Sequence, residues 1–290
     1  MGTVVIFGAT GLLGSSLCPY LADSGFEVIQ AGRDPSSNRI LDVTDSSAIA
    51  DLFRATAPSY VINLVAATDV DRCESDVKYA YLANTKVPGA IAAAMDTCGH
   101  FDIHAVHIST DQVYAGPGTH SEGNINPINV YGLSKYAGEL LVAAKTTAIL
   151  RTNFYGRSKL PNRKSFSDWL VTALKKREAI TLFEDVLFSA LNIQTLCDLV
   201  LDVMKQRVTG TFNVGCANGI SKAEFAIQLA SRLGLSTENA KVGRLADLAL
   251  KAKRPTDMTL DVRKFESAMN LRCPDIFDQI SLTAEEYSDE

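Results

Sequence analysis

Short apolar runs alternate with stretches of helical periodicity over roughly the first half of the chain. The apolar runs occupy residues 3–7, 27–31, 60–65, 103–108 and 148–151. Apolar residues at helical spacing fill the intervals near residues 13–23, 46–56, 75–98 and 131–145. Strands of this length that alternate with helices are typical of a parallel sheet covered by helices on both faces. The pattern therefore predicts an α/β fold with a doubly wound parallel sheet.

The regular alternation stops after about Arg151. The remaining predicted elements are a polar loop at 156–165, helices at 166–176 and 193–205, a strand at 211–214 and a helix at 221–234. We predict a dinucleotide-binding domain at residues 1–151, rejoined by about 190–215. Residues 152–290 are predicted to form mainly a smaller, discontinuous C-terminal substrate domain. The acidic tail at 283–290 is expected to fray.

The composition is that of an ordinary globular protein. The 290 residues carry a net charge of -5, with 47% hydrophobic and 21% charged residues. Basic groups such as residues 175–177 are too short for a surface that binds a phosphate backbone, so nucleic acid is not an expected partner. The chain starts with an apolar strand and glycines, and no apolar run approaches the ~20 residues of a membrane span. A cytoplasmic protein without membrane contact is the expectation.

Neither the cysteines nor the histidines are spaced like a metal site. The 6 cysteines lie far apart and form no CxxC motif, so no disulfide scaffold or zinc ribbon is indicated. His104 and His107 share a predicted strand with His100 just before it, but side chains three residues apart on a strand face opposite sides. We therefore predict that the chain binds no metal.

A glycine-rich turn follows the first predicted strand. Residues 8–14 read GATGLLG, with glycine at every third position, and a predicted helix follows at once. Glycine permits a tight turn and lets the backbone approach a pyrophosphate, and the helix N-terminus offers unpaired N–H groups. This context favours a dinucleotide site of the Rossmann type over purely structural glycines, although the spacing differs from GxGxxG. The cofactor-binding residues predicted here are Gly8, Thr10, Gly11, Leu12, Leu13 and Gly14.

The end of the second predicted strand indicates which dinucleotide binds. An acidic residue there would accept from a ribose 2′-hydroxyl, but residues 30–33 read QAGR. Arg33 could pair with a 2′-phosphate, which favours NADP(H); NAD(H) stays an option because Asp34 could take the arginine in a surface pair. Asp42 and Val43 follow a short apolar stretch and are expected near the adenine. The alternative for Asp42 is to cap the next helix.

Hydroxyl groups and a tyrosine–lysine pair form the candidate proton-transfer site. The fourth apolar run ends in Ser109, Thr110 and Asp111, at the carboxyl end of a strand, where open α/β sheets bind ligands. Tyr131 and Lys135 are four residues apart on a predicted helix and so share one face. A nearby cation lowers the pKa of a phenol from about 10, which favours proton transfer. The set predicts hydride transfer from a nicotinamide to a carbonyl held by Thr110, with Tyr131 as the acid. An ordinary surface pair is the alternative.

These segments resemble the extended short-chain dehydrogenases/reductases, and within them the dTDP-4-dehydrorhamnose reductase branch. The similarity covers most of the chain and rests on STDQVY at 109–114, NPINVYGLSK at 126–135, NLVAATDVDRCE at 63–74 and KRPTDMTLD at 253–261. The resemblance implies that Ala66 and Ala67 lie against the cofactor and that Tyr131 and Lys135 also contact it, with Lys135 on the nicotinamide ribose. It implies an NADP-preferring reductase that acts on the C4 carbonyl of a nucleotide-linked 4-keto-6-deoxy sugar.

The resemblance also implies a set of substrate-binding residues and the partners of the chain. The residues are Thr68, Thr110, Asp111, Phe154 and Arg254. Phe154 stands where the family usually has tryptophan, and residues 187–190 read LFSA in place of the family's later substrate loop. The reaction type is therefore better defined than the sugar. A nucleotide sugar is the expected partner, and a homodimer is kept as an option.

Two alternative functions remain at this stage. An epimerase or dehydratase of the same superfamily would retain its cofactor through the cycle, although the Asp-Glu pair of dehydratases is absent after Thr110. A cofactor-binding regulatory subunit, like the β subunit of methionine adenosyltransferase, would need no turnover.

For single residues, Trp169 is expected in the core rather than stacked on a base, Arg254 could be a solvated arginine, and Glu139 is assigned to its helix rather than to the chemistry.

Overall fold

The computed structural model describes residues 2–99, 102–143 and 146–288. Its strands are β1 (Thr3–Phe7), β2 (Glu27–Gly32), β3 (Arg39–Ile40), β4 (Tyr60–Asn63), β5 (His104–Thr110), β6 (Thr147–Thr152), β7 (Phe154–Tyr155), β8 (Ile180–Phe183), β9 (Leu187–Phe188), β10 (Leu191–Asn192), β11 (Gly210–Val214), β12 (Ile220–Ser221), β13 (Ala240–Gly243) and β14 (Asp257–Met258). Its α-helices are α1 (Gly14–Asp23), α2 (Ser46–Thr56), α3 (Val70–Ser75), α4 (Val77–Tyr81), α5 (Val87–Thr97), α6 (Val130–Val142), α7 (Phe166–Lys175), α8 (Ile193–Gln206), α9 (Lys222–Arg232), α10 (Arg263–Met269) and α11 (Ile276–Tyr287).

The centre of the molecule is a parallel sheet of 7 strands in the order β11-β6-β5-β4-β1-β2-β3. Every neighbouring pair in this sheet is parallel. The predicted doubly wound α/β fold is therefore confirmed. The chain moves outward in one direction from β1 to β3 and in the other from β4 to β6. The loops after β1 and β4 thus border the crevice where such sheets bind ligands.

Apolar residues of the central strands alternate between two cores. In β1, Val4 and Ile6 pack on one face of the sheet and Val5 and Phe7 on the other. Helices cover both faces, as the continuous apolar runs of the sequence require. The core that includes Val4 extends without a break to Phe225 of α9, so it continues from the sheet into the C-terminal half.

The C-terminal half contributes one strand to the large sheet and forms three small sheets. Strand β11 pairs with β6 at one edge of the large sheet. The small sheets are β10-β7, β12-β9-β14 and β13-β8. Aromatic rings of Phe166, Phe188 and Phe225 pack together between α7, β9 and α9, with ring centroids 5.5–6.2 Å apart. This packing fixes the small sheets against the C-terminal helices.

The helix predicted at 75–98 is confirmed as one continuous run of helical turns made of α4, a π-helix at Leu82–Lys86 and α5. Two other expectations about local structure are wrong. The tail does not fray over most of its length, because α11 runs to Tyr287, whose hydroxyl donates to Asp168 Oδ1 at 2.7 Å. Trp169 is not a core residue: it is 42% exposed and stacks on Phe166.

Several expected features fall at the limits of the described chain. His100, Lys145, Asp289 and Glu290 lie outside the described residues. Within residues 2–99, 102–143 and 146–288, no helix is long and apolar enough to cross a membrane.

Candidate functional site

The glycine turn after β1 is so closely packed that a side chain at Gly8 or Gly14 would collide with neighbouring backbone. Gly8 has φ +85°, and a Cβ built on it would lie 2.8 Å from the backbone carbon of Leu64. A Cβ on Gly14 would overlap the backbone of Ala9. No described side chain caps the first turn of α1. The N–H groups of Ser15 and Ser16 donate to the Gly11 and Leu13 carbonyls at 2.9 and 3.1 Å. The turn thus fits the pyrophosphate of a dinucleotide, both in shape and in the sign of its partial charge.

Two cavities meet at this turn. One, of about 320 Å³, lies at the carboxyl ends of β4, β5 and β6. We call it the nicotinamide-end cavity, and the predicted site residues that line it are Gly8, Gly11, Leu12, Leu13, Gly14, Ala66, Thr68, Thr110, Asp111, Tyr131, Lys135 and Phe154. The other, of about 510 Å³, is the adenosine-end cavity, and it is lined by Gly8, Thr10, Gly11, Arg33, Val43 and Ala66. Residues separated by more than a hundred positions therefore meet around one continuous cleft.

Three predicted site residues line neither of these two cavities: Asp42, Ala67 and Arg254. The side chain of Asp42 accepts from the Thr44 N–H at 2.9 Å. It does not cap α2, because Asp45 does so through the Ser47 N–H at 2.9 Å. Ala67 is buried, and its N–H donates to Asn84 Oδ1 at 2.8 Å. The carboxylate of Asp42 and the backbone N–H of Ala67 are therefore bonded within the fold. The adenine contact of Asp42 and the cofactor contact of Ala67 stay predictions.

Arg33 stands free of the neighbour that was expected to compete for it. The carboxylate of Asp34 accepts from the Ser36 N–H at 2.9 Å and from its hydroxyl at 2.6 Å. These bonds hold the pKa of Asp34 below its usual value. No ion pair between Arg33 and Asp34 is found among the described residues, and Arg33 lines the adenosine-end cavity, where its charge also helps to lower the pKa of Asp42.

The helix that carries Tyr131 and Lys135 begins at the crevice. Asn129 accepts from the Gly132 N–H at 2.8 Å and so caps the first turn of α6. Both Tyr131 and Lys135 are buried in the lining of the nicotinamide-end cavity. Thr110 accepts from the Gln112 N–H at 3.2 Å and donates to Asp111 Oδ1 at 3.2 Å, so its side chain is oriented from two sides.

Burial controls the protonation of the phenol. It raises the pKa of Tyr131, and a hydrogen bond with Thr110 offsets only part of that rise. The Lys135 ammonium donates to the Ile108 carbonyl at 2.7 Å, and burial lowers its pKa to about 8. The expectation that Lys135 lowers the pKa of Tyr131 is therefore wrong for this geometry, because desolvation dominates. Tyr131 is a neutral O–H group at physiological pH, which is the form of a proton donor.

A buried ion pair fixes α6 on the sheet, and sequence reasoning missed it. Arg151 of β6 and Glu139 of α6 are 2.6 Å apart and almost fully buried. The Ser109 hydroxyl donates to Glu139, and Arg151 donates to the Tyr114 hydroxyl at 2.8 Å. An arginine at the end of an otherwise apolar strand was the available signal, because buried charges must be paired.

Asn84, which the family resemblance places on the helix after residues 63–74, connects the loop after β4 to α6 through contacts that the sequence did not predict. Asn84 is fully buried, and its amide nitrogen donates to the Ala67 carbonyl at 3.2 Å and to the Ser134 hydroxyl at 2.9 Å. Because Ser134 lies on α6 beside Lys135, Asn84 fixes the distance between the Ala66 side of the cleft and the catalytic helix. Its place in the π-helix has no simple signature in the sequence.

The substrate side of the cleft is more highly charged than the sequence indicated. Asn153 donates to Asp111 at 2.7 Å, and burial raises the pKa of Asp111 to about 6. The Lys222 ammonium lies 5.2 Å from the Phe166 ring centroid and acts on the charge of Asp111. Arg254 pairs with Asp71 at 3.1 Å. Lys222 and Asn153 lie far along the chain from Asp111, so only the folded structure reveals their proximity.

Comparison with known proteins matches the whole described chain. The family model "RmlD substrate binding domain" covers residues 2–288. The chain is 30% identical to the probable low-salt glycan biosynthesis reductase Agl14 of Haloferax volcanii, over 98% of each chain. It is 27% identical to dTDP-4-dehydrorhamnose reductase of Escherichia coli K12, over 94% of this chain and 93% of that one. The structure of dTDP-4-dehydrorhamnose reductase from Bacillus anthracis in complex with NADP superposes with a TM-score of 0.88 at 26% identity, covering 98% and 99% of the two chains.

Proposed function

The chain belongs to the RmlD substrate-binding-domain family of NAD(P)H-dependent reductases, and on that premise we propose that it reduces the C4 carbonyl of a nucleotide-linked 4-keto-6-deoxy sugar with NADPH. The observation that carries this proposal is the meeting of Thr110, Tyr131 and Lys135 with the glycine turn around one cavity. A family match alone would also be compatible with a chain that has lost its chemistry. The reactive side chains and the cofactor cradle are both intact and adjacent.

NADPH is the proposed cofactor because of the end of β2. Gly32 leaves no carboxylate there, and Arg33 is available at the adenosine-end cavity. The B. anthracis reductase structure is described as a complex with NADP. When bound, the dinucleotide supplies the hydride. The glycine turn and the N-terminus of α1 would hold its diphosphate, and Lys135 would donate to a ribose hydroxyl near the reacting carbonyl.

Tyr131 is proposed to donate the proton that completes the reduction. The substrate carbonyl gains negative charge as it is reduced, and an O–H group within hydrogen-bond reach neutralises that charge. The raised pKa of Tyr131 keeps its proton available for this step. The Thr110 hydroxyl, which lines the same cavity as Tyr131, would hold the same oxygen and orient the carbonyl. Proton and hydride thus arrive at the oxygen and the carbon of one carbonyl group.

The nucleotide half of the substrate is proposed to extend toward Arg254 and Lys222. The charge of Lys222 interacts with those of Asp111 and Arg254, and an arginine can bind a diphosphate through two parallel hydrogen bonds. Phe154 lines the cavity where the sugar would lie. These residues support an activated sugar as the substrate class and leave its stereochemistry to measurement.

The test is cofactor oxidation with a panel of nucleotide-linked 4-keto sugars, for wild type, Tyr131→Phe and Tyr136→Phe. Tyr136 is the matched control, because it lies on the same helix but its ring packs near Arg151 rather than in the cavity. We expect stoichiometric NADPH oxidation by wild type and by Tyr136→Phe, and a kcat lower by about a hundredfold or more in Tyr131→Phe, since positioned acids contribute about 10²–10⁴.

Two outcomes would contradict the proposal. A sugar product formed without net cofactor oxidation would indicate an epimerase or dehydratase. Tight binding of NADPH with no turnover on any sugar of the panel would indicate a regulatory subunit.

A further inference from the structure

One cation lies where the two cavities of the cofactor cleft join. The linings of the nicotinamide-end and adenosine-end cavities have five residues in common: Gly8, Gly11, Leu64, Ala66 and Arg163. A dinucleotide at a glycine turn places its diphosphate between its two nucleoside halves. A residue that borders both halves therefore borders the diphosphate. Arg163 is the only shared residue with a charged side chain.

Arg163 approaches this junction from the C-terminal half of the chain. It lies on the polar loop between β7 and α7, and it lines both cavities together with Gly8 and Gly11 of the glycine turn. The loop ends at Ser165, which caps α7 through a bond from the Asp168 N–H at 3.0 Å, while the Ser165 N–H donates to Asp168 at 2.8 Å. These two hydrogen bonds fix Ser165 at the start of α7. The loop is therefore anchored two residues after Arg163.

The charge of Arg163 reaches the cleft without being neutralised there. It helps to lower the pKa of Asp34, at the far edge of the adenosine-end cavity. Asp34 itself is bonded to Ser36, and no ion pair of Arg163 is found among the described residues. A guanidinium in this situation is suited to a phosphate group, because it donates through several N–H groups in a fixed fork.

We propose that Arg163 binds the diphosphate of the dinucleotide from the side opposite the glycine turn. The polar loop then holds the cofactor against the sheet, and the C-terminal half contributes directly to cofactor affinity. This inference rests on the proposed use of a nicotinamide dinucleotide. It divides the work between two arginines: Arg33 faces the 2′-phosphate that only NADPH carries, and Arg163 faces the diphosphate that NADPH and NADH share.

The test measures equilibrium binding of NADPH and of NADH, by fluorescence titration, to wild type, Arg163→Ala, Arg33→Ala and Lys164→Ala. Lys164 is the matched control, since it is the adjacent exposed cation and lines neither cavity of the cleft. Arg163→Ala is expected to raise the Kd of both cofactors about tenfold, the size of one charge-assisted hydrogen bond. Arg33→Ala is expected to weaken NADPH alone, and Lys164→Ala to change either Kd less than twofold.

Higher ionic strength should reduce the effect of Arg163→Ala, because the side chain is exposed and its charge is screened. A Kd for Arg163→Ala equal to that of Lys164→Ala would overturn the inference and leave the proposed function intact. A loss confined to NADPH would also overturn it, because the diphosphate is common to both cofactors. Failure of wild type to bind either dinucleotide would instead refute the proposed function.

Discussion

At the residue scale, burial decides the proton chemistry of the cleft. Tyr131 keeps its proton because desolvation raises its pKa, whereas desolvation of Lys135 makes its ammonium easier to deprotonate. The two residues that share one helix face are therefore shifted in the directions that favour their neutral forms. A neutral phenol is a proton donor, and a lysine that is charged only below about pH 8 limits the pH range of the site.

This difference predicts a descending limb in the pH profile of kcat/KM for NADPH. Lys135 has a pKa of about 8 in the folded protein, so it carries its charge below that pH and loses it as the pH rises through it. We expect kcat/KM to fall about tenfold per pH unit above about pH 8, because the neutral amine binds the ribose less strongly. Lys135→Met should be much less active and should lack this limb.

The pH profile of kcat/KM in Lys135→Met shows whether the descending limb comes from Lys135 or from another group. If the descending limb persists unchanged in Lys135→Met, it belongs to another group, and the assignment of Lys135 is refuted. A wild-type profile that stays level to pH 9.5 would refute it as well. Thermal unfolding of the variant at each pH serves as the control for loss of structure.

At the element scale, the position of α6 depends on one buried ion pair. Glu139 and Arg151 join α6 to β6, and Ser109 adds a bond from β5. Lys135 is one turn from Glu139 on the same helix, so this network helps to position the proposed catalytic residues Tyr131 and Lys135 in the cavity. The sequence assigned Glu139 to its helix, but its partner is twelve residues away on another element.

Glu139→Gln is expected to lower the free energy of unfolding by about 3 kcal/mol, because it leaves the Arg151 charge buried without a counter-charge. Chemical denaturation measures the change. The matched control is Asp51→Asn, which breaks an exposed pair with Arg54 and should cost less than about 0.5 kcal/mol. Equal losses in the two variants would show that the buried pair does not hold α6.

Local patterns in the sequence predicted the elements and the ends of strands, but not the contacts between distant elements. The glycine turn and the Thr110 strand end were accessible because each is a local feature with its own signature. The π-helix at Leu82–Lys86 and the role of Asn84 depend on α6, which follows some fifty residues later. Asp45 rather than Asp42 caps α2, because Asp45 directly precedes the first residue of the helix. The two residues have the same side chain, so the sequence alone did not distinguish them.

At the scale of the whole molecule, segments that lie far apart in the sequence come together around the cleft. Strand β11 joins β6, and the Ala252 N–H donates to Asp71 at 3.0 Å beside the Arg254–Asp71 pair. The loop that carries Arg163 approaches the glycine turn from the same half. Neither approach has a local signature, because both depend on how the small sheets pack on the C-terminal helices.

In the proposed reaction, a hydride moves from NADPH to the C4 carbon of a nucleotide-linked 4-keto sugar. The most direct measurement is isotope transfer from NADPH that is deuterated at the transferable position of its nicotinamide, followed by NMR and mass spectrometry of the sugar product. We expect one deuterium at C4 of each product molecule and one NADPH oxidised per sugar reduced. Product without deuterium at C4, or product formed with no net oxidation of NADPH, would contradict the account.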